Sequence, residues 1–178
     1  MDLGKLSFVA VKDGMDLVGP TVKEPIQRSG IDDGVWVSEI DPTLADTAAF
    51  CEYYDVGLDV SANCVVVEAK RADRVWYAAC VVLATTRADV NGIVRKQLDA
   101  RKISFAPMDT AVSLTHMEYG GITPIGLPKD WPLLIDEKVT KQPRVIVGSG
   151  IRGSKILVST EVLAALPNAT VMAITKNE

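Results

Sequence analysis

Histidine is all but missing from this 178-residue chain: His116 stands alone. Cysteine is scarce too. Cys51, Cys64 and Cys80 lie 13 and 16 positions apart, with no C-x-x-C pair. A metal site built from His and Cys needs several such residues at short spacing, so no metal is expected. The odd, scattered cysteines argue against a disulfide framework and for a reducing, cytoplasmic setting, each thiol serving as a small apolar residue. No G-x-S-x-G turn is present, and a serine hydrolase would have only His116 as its base, which sets that class aside. Long apolar runs are missing as well. The longest, Val75 to Ala84, has ten residues, where a membrane span needs about 20. The N-terminus carries an acid at Asp2 and no basic-then-apolar leader, so neither a membrane segment nor a secretory signal is expected.

A basic excess is also lacking. The chain has 19 Lys and Arg against 23 Asp and Glu, a net charge of −4. Proteins that coat duplex nucleic acid draw affinity from many phosphate contacts and are usually basic overall. The charge is uneven, however: residues 1–62 balance at −8 and residues 63–178 at +4. The later part can hold one nucleic-acid end or phosphorylated ligand in a local basic pocket; the plainer alternative is a solvated surface behind an acidic segment. What is present is the composition of one globular domain, 48% hydrophobic and 24% charged.

No repeat or low-complexity tract divides the chain. Residues 1–33 have weak periodicity and read as a partly helical N-terminal extension; residues 34–178 read as the main domain. Residues 34–40 alternate and predict a short strand. Asp41-Pro42-Thr43 predicts a turn leading into a helix over 43–54. Two β-branched stretches, 63–70 and 75–84, flank Arg71-Ala72-Asp73 and predict a hairpin. Asp89 is placed to cap a helix ending near Leu98. A short strand at 103–105 and a helix over 107–115 follow. Further strands are expected at 132–135, 144–147 and 155–158, then a helix ending near Pro167 and a last strand at 170–175. Because the first strong pair is a hairpin, the expected fold is mixed α/β (α+β), a barrel-like mixed β-sheet core surrounded by helices, and not a doubly wound parallel sheet.

Gly148-Ser149-Gly150-Ile151-Arg152-Gly153 matches G-x-G-x-x-G after a strand. A dinucleotide site needs a helix next, but Ser154 to Ser159 reads as a strand and only 25 residues remain after Gly153. A P-loop fails for the same reason, so no cofactor is expected. The glycines still let main-chain N–H groups approach a ligand, and Arg152 can grip a phosphate or carboxylate. The alternative is a tight hairpin turn with Arg152 in solvent. The Gly/Pro-rich stretch 119–128 excludes regular structure. Within it, Gly120-Gly121-Ile122-Thr123-Pro124 can present main-chain amides to a carbonyl or hydroxyl, or act as a rigid connector. His116 leads into this loop and reads first as a helix-end residue.

Three segments in this order carry a resemblance: Gly120-Gly121-Ile122-Thr123-Pro124-Ile125-Gly126, Leu134-Ile135-Asp136, and Val147 to Gly153. Together they resemble the YbaK/prolyl-tRNA-synthetase-associated editing domain family, over roughly Val35 to Thr175. The resemblance implies hydrolysis of the ester joining a wrong amino acid to the 3′-terminal adenosine of tRNA. It implies a cleft at the Gly-x-x-x-Pro loop, with Gly120, Gly121 and Pro124 as the backbone cradle and Thr123 among the substrate contacts. Gly150, Arg152 and Gly153 would form the opposite wall, with Arg152 near the terminal nucleotide and Asp136 near the ribose or an amino group. The substrate's own 2′-hydroxyl would assist the attacking water, and the partner would be the tRNA 3′ end; a homodimer stays open.

Two departures stand out. The family usually has a lysine where this chain has Asn63, which brings hydrogen-bond donors but no charge. Lys70 lies seven positions on, which turns it to the opposite strand face. The family often reads Glu-His-Asp-Pro where this chain has Glu39-Ile40-Asp41-Pro42, and His116 replaces a common glycine. Asn63 is therefore expected to orient substrate, with His116 as a further polar contributor. The alternative function is a module on the same fold that binds an aminoacyl-nucleotide or tRNA end without cleaving it.

Overall fold

The computed structural model describes residues 1–176. The chain opens with three two-residue strands, β1 (Asp2–Leu3), β2 (Leu6–Ser7) and β3 (Val9–Ala10). Helix α1 (Pro20–Ser29) follows, started by Pro20 in its first turn and ended by Gly30 at φ 60°. Then come β4 (Val35–Glu39) and α2 (Thr47–Tyr54). The hairpin β5 (Ala62–Arg71) and β6 (Arg74–Leu83) lies where the two β-branched stretches predict it, paired antiparallel from Ala62–Leu83 to Arg71–Arg74. A π-turned segment, Val90–Val94, capped by the Asp89 carboxylate, runs into α3 (Arg95–Gln97). The rest is β7 (Lys102–Phe105), α4 (Met108–Thr115), β8 (Leu133–Asp136), α5 (Glu137–Thr140), β9 (Arg144–Gly148), β10 (Ser154–Ser159), α6 (Thr160–Ala164) and β11 (Ala169–Met172).

Among the described residues the strands form three sheets: β1-β2, β3-β4-β10-β9 and β11-β8-β6-β5-β7. The five-stranded sheet mixes antiparallel β6-β5-β7 with parallel β6-β8 and β8-β11. The mixed α/β architecture is as expected, but the core is not a closed barrel. The two large sheets meet through one parallel bridge, Ser61 to Ile146. Closure would need a full ladder there.

Strand alternation decides which side chains share a core. Val35, Val37, Val147, Ile156 and Val158 pack against Ala79, Val81 and Ile135 between the sheets. Full burial of each aliphatic side chain contributes roughly 1.5–3 kcal/mol. Ala78, Cys80 and Val82 point the other way, onto Val67, Val90 and Leu134. On the outer face of the smaller sheet, Ile146 and Leu157 pack under α2 through Phe50 and Cys51. Residues 1–33 add Val11, Val18, Val22 and Ile26 to the central core. They also hold the β9–β10 turn from behind: the Gly19 N–H donates to the Ser149 carbonyl at 2.8 Å, and the Ser154 hydroxyl donates to the Leu17 carbonyl.

The helix expected over 43–54 is broken. The Asp41 carboxylate accepts from the Thr43 N–H at 2.9 Å and the Thr43 hydroxyl at 2.7 Å, fixing a separate 3-10 turn at Pro42–Leu44. Helix α2 starts afresh after Asp46. No helix among the described residues is long and apolar enough to cross a membrane.

Candidate functional site

Lys155 on β10 lies opposite Gly148 on β9 and Ser38 on β4. It shares the strand face of Leu157, so alternation sends it under α2 and away from solvent. The residue is 7% exposed. Its Nζ donates to the Ala45 carbonyl at 2.8 Å and stands 5.3 Å from the centre of the Phe50 ring. Burial lowers its pKa to about 8; Cys51 and Asp46 act against that shift, and Arg152 adds to it.

Gly148 has no side chain, and the main chain of the 118–122 loop lies on it. A Cβ at Gly148 would stand 2.6 Å from the Gly121 carbonyl oxygen. The two glycine loops are also bonded to each other. The Gly150 N–H donates to the Gly121 carbonyl at 2.7 Å, and the Glu118 N–H donates to the Gly150 carbonyl at 2.9 Å. The expectation of opposite walls is therefore corrected: the loops meet in a hydrogen-bonded seam.

The cavity lies beside that seam and measures about 260 Å3. Asp46 and Thr47 at the start of α2, Asn63 and Cys64 on β5, Gly120 of the loop, and Gly148 with Lys155 enclose it. The Thr47 hydroxyl donates to Asn63 Oδ1 at 2.6 Å. That bond leaves the Asn63 Nδ2 donors without a protein partner among the described residues. Burial, with Cys80 nearby, pushes the Cys64 thiol up, so it stays protonated and is a poor nucleophile.

Arg152 sits at the rim. Its Nε donates to the Pro42 carbonyl at 3.1 Å and its Nη1 to the Tyr119 carbonyl at 3.0 Å. Asp46 Oδ1 is 3.8 Å from Nη1; that carboxylate is 64% exposed, so the pair adds little stability. Gly120 turns beneath the guanidinium at φ 82°, where any Cβ would collide with Nη1.

The structure thus brings Asn63 and Gly120 together at the cavity, with Arg152 beside them. Gly121 and Gly150 belong to the seam. Gly153 accepts from the Ile40 N–H at 3.0 Å. Thr123 is fully buried, and its hydroxyl has no partner among the described residues. Pro124 faces a second cavity of about 570 Å3 beneath α1. His116 is exposed and ends α4 at φ 56°. Asp136 is wholly buried; its carboxylate accepts from the Ile174 N–H at 2.9 Å and caps α5 through Lys138. The expected contact of Asp136 with a ribose or amino group has no open surface on which to form.

Sequence reasoning missed Lys155, Asp46 and Thr47. Lys155 had one signal, a lone charge beside Ile156-Leu157-Val158. Asp46 and Thr47 had none beyond a helix start.

A family model described as an aminoacyl-tRNA editing domain matches residues 41–166. A protein of Enterococcus faecalis (strain ATCC 700802 / V583), designated a Cys-tRNA(Pro)/Cys-tRNA(Cys) deacylase, is 28% identical over 92 residues. The match covers 47% of this chain and 56% of that relative's length. The crystal structure of a protein described as a trans-editing enzyme for prolyl-tRNA synthetase superposes with a TM-score of 0.76 at 17% identity, covering 90% of this chain and 99% of that one. The hypothetical protein APE2540 gives a TM-score of 0.76 at 20% identity over 88% and 99%. At such identities the two structures establish a shared fold.

Proposed function

The chain belongs to the aminoacyl-tRNA editing domain family, and on that premise we propose that it acts in trans to hydrolyse the ester between a wrong amino acid and the 3′-terminal adenosine of tRNA. The observation that carries this reading is the cavity that joins Asn63 of β5 to the bare main chain at Gly120. Its volume falls below the roughly 300–1,000 Å3 of common ligand pockets, which suits an aminoacyl group with the adenosine left at the rim. Arg152 Nε and Nη1 are engaged, and Nη2, which has no partner among the described residues, is the group that would meet the terminal nucleotide. The Asp46 carboxylate at the mouth suits the substrate's α-ammonium group.

In the reaction a water oxygen adds to the ester carbonyl carbon. The bond to the 3′ oxygen then breaks, and a proton ends on that oxygen. The substrate's 2′-hydroxyl orients the water, and the site contributes placement and electrostatics. The partner is the tRNA 3′ end, which implies a cytoplasmic location. A second reading, a module that holds the aminoacyl end without cleaving it, draws on Asn63, which brings no charge.

Incubation with a panel of mischarged tRNAs, following free amino acid, separates the two. Release well above the uncatalysed rate is expected for at least one aminoacyl group. Binding to every member of the panel with no release would replace the first reading with the second.

A further inference from the structure

We propose that Lys155 binds the substrate's ester carbonyl from the cavity floor and stabilises the negative charge that develops on that oxygen, an inference that rests on the editing reading above. Lysine has three N–H donors and no acceptor. One donor goes to the Ala45 carbonyl, and the other two have no partner among the described residues. Asn63 Oδ1, which lines the same cavity, accepts from Thr47. Lys155 Nζ and Asn63 Nδ2 thus both bring donors to the cavity that no described residue accepts. The ligand atom that completes this arrangement is an acceptor, and a carbonyl turning into an oxyanion is the one the reaction supplies.

Burial points the same way. Lys155 makes no ion pair among the described residues: the exposed Asp46 carboxylate lies 3.8 Å from Arg152 Nη1 instead. The neighbouring strand positions hold Ile156 and Leu157, so an apolar residue would fit Lys155's surroundings at lower cost. An ammonium buried without a carboxylate partner costs the fold its desolvation, and a charge held away from bulk water acts more strongly on a reacting oxygen than one in water. When water adds, the carbonyl π electrons move to oxygen; Lys155 and Asn63 Nδ2 hold that oxygen until the bond to the 3′ oxygen breaks. Lys155 keeps its proton throughout. The titratable groups that face it are Asp46 before α2, Cys51 of α2, Cys64 of β5, Tyr119 of the loop and Arg152 of the turn, and only Arg152 among them is cationic.

The test uses the full chain with Lys155→Met, Lys155→Gln and Lys155→Arg. Three quantities are read: turnover of a mischarged tRNA, affinity for 3′-aminoacylamino-adenosine, a non-hydrolysable amide, and thermal midpoint. Expected are a loss of about 100-fold or more in kcat for the Met and Gln variants, affinity for the amide at least about tenfold weaker, partial recovery in the Arg variant, and a thermal midpoint at or above wild type for Met. Wild-type turnover should fall above about pH 8, as the ammonium loses its proton. Met and Gln variants that bind the amide as tightly as wild type overturn the proposal, whether or not turnover is seen. Parallel loss of midpoint and turnover overturns it too, since a structural residue would behave so. A wild type that binds the amide through Lys155 yet cleaves nothing sinks the editing reading alone; one that neither binds nor cleaves sinks both.

Discussion

Lys155 and Gly148 face one another across the β9–β10 pair, and the missing side chain of Gly148 makes room for the loop beside the Lys155 ammonium. The sheet supplies the charge and the loop supplies bare main chain, brought together by one residue that has nothing to put between them.

Gly148→Ala should therefore damage both fold and site. Its Cβ would press on the carbonyls of Gly121 and Ile122 at 2.6 and 2.8 Å. The expected cost is about 1–3 kcal/mol, with turnover reduced more than about tenfold as Gly120 shifts. Gly30→Ala is the control. Its Cβ meets nothing within 4 Å, so only the left-handed backbone at φ 60° opposes it, at about 1 kcal/mol. Urea unfolding and turnover of both variants check this.

Asn63→Lys should lower activity. It would place a second ammonium in a cavity of about 260 Å3 that already holds Lys155, and it would remove the acceptor of the Thr47 hydroxyl. Stability should fall below wild type and recover in part in the double variant Asn63→Lys/Lys155→Met, where the like charges no longer oppose each other. A coupling energy from this double-mutant cycle is the measurement; strict additivity would contradict the shared cavity.

The pH dependence of stability has a definite sign. Lys155 titrates near 8 in the folded chain and near 10.5 when unfolded. The unfolded chain thus holds the proton more tightly. Wild type carries this penalty in full below about pH 8 and loses it as the pH rises to about 10.5. The stability of Lys155→Met relative to wild type should therefore fall by an amount on the order of 3 kcal/mol between pH 7 and pH 10.5. Urea midpoints at the two pH values would show it.

Asp136→Asn should cost about 1–3 kcal/mol, because the Lys138 N–H would then meet an amide donor or the Ile174 N–H would lose its acceptor. Turnover per folded molecule should stay unchanged. A drop in kcat with an intact melting curve would instead return Asp136 to the substrate.

The hairpin 62–83 and strand 35–39 were legible because β-branched residues and alternation are local signals, and the three-segment resemblance located the loop that holds Gly120. The site was harder to read. Alternation gives the parity of Lys155 but not which helix covers that face, and Ala45, its partner, lies 110 positions away. Asp136 stood in a distinctive segment; that it is consumed by Ile174, 38 positions on, is a tertiary fact. The break before α2 turned on whether the Asp41 side chain would close on Thr43, a local choice the residue types leave open.

The tie between Gly19 and Ser149 and the one between Ser154 and Leu17 come from a stretch that precedes the family-matched span of 41–166. A fragment trimmed to the homologous boundaries would keep every cavity-lining side chain yet leave its glycine turn without a brace. Engineering this domain as a portable module means carrying its first forty residues along.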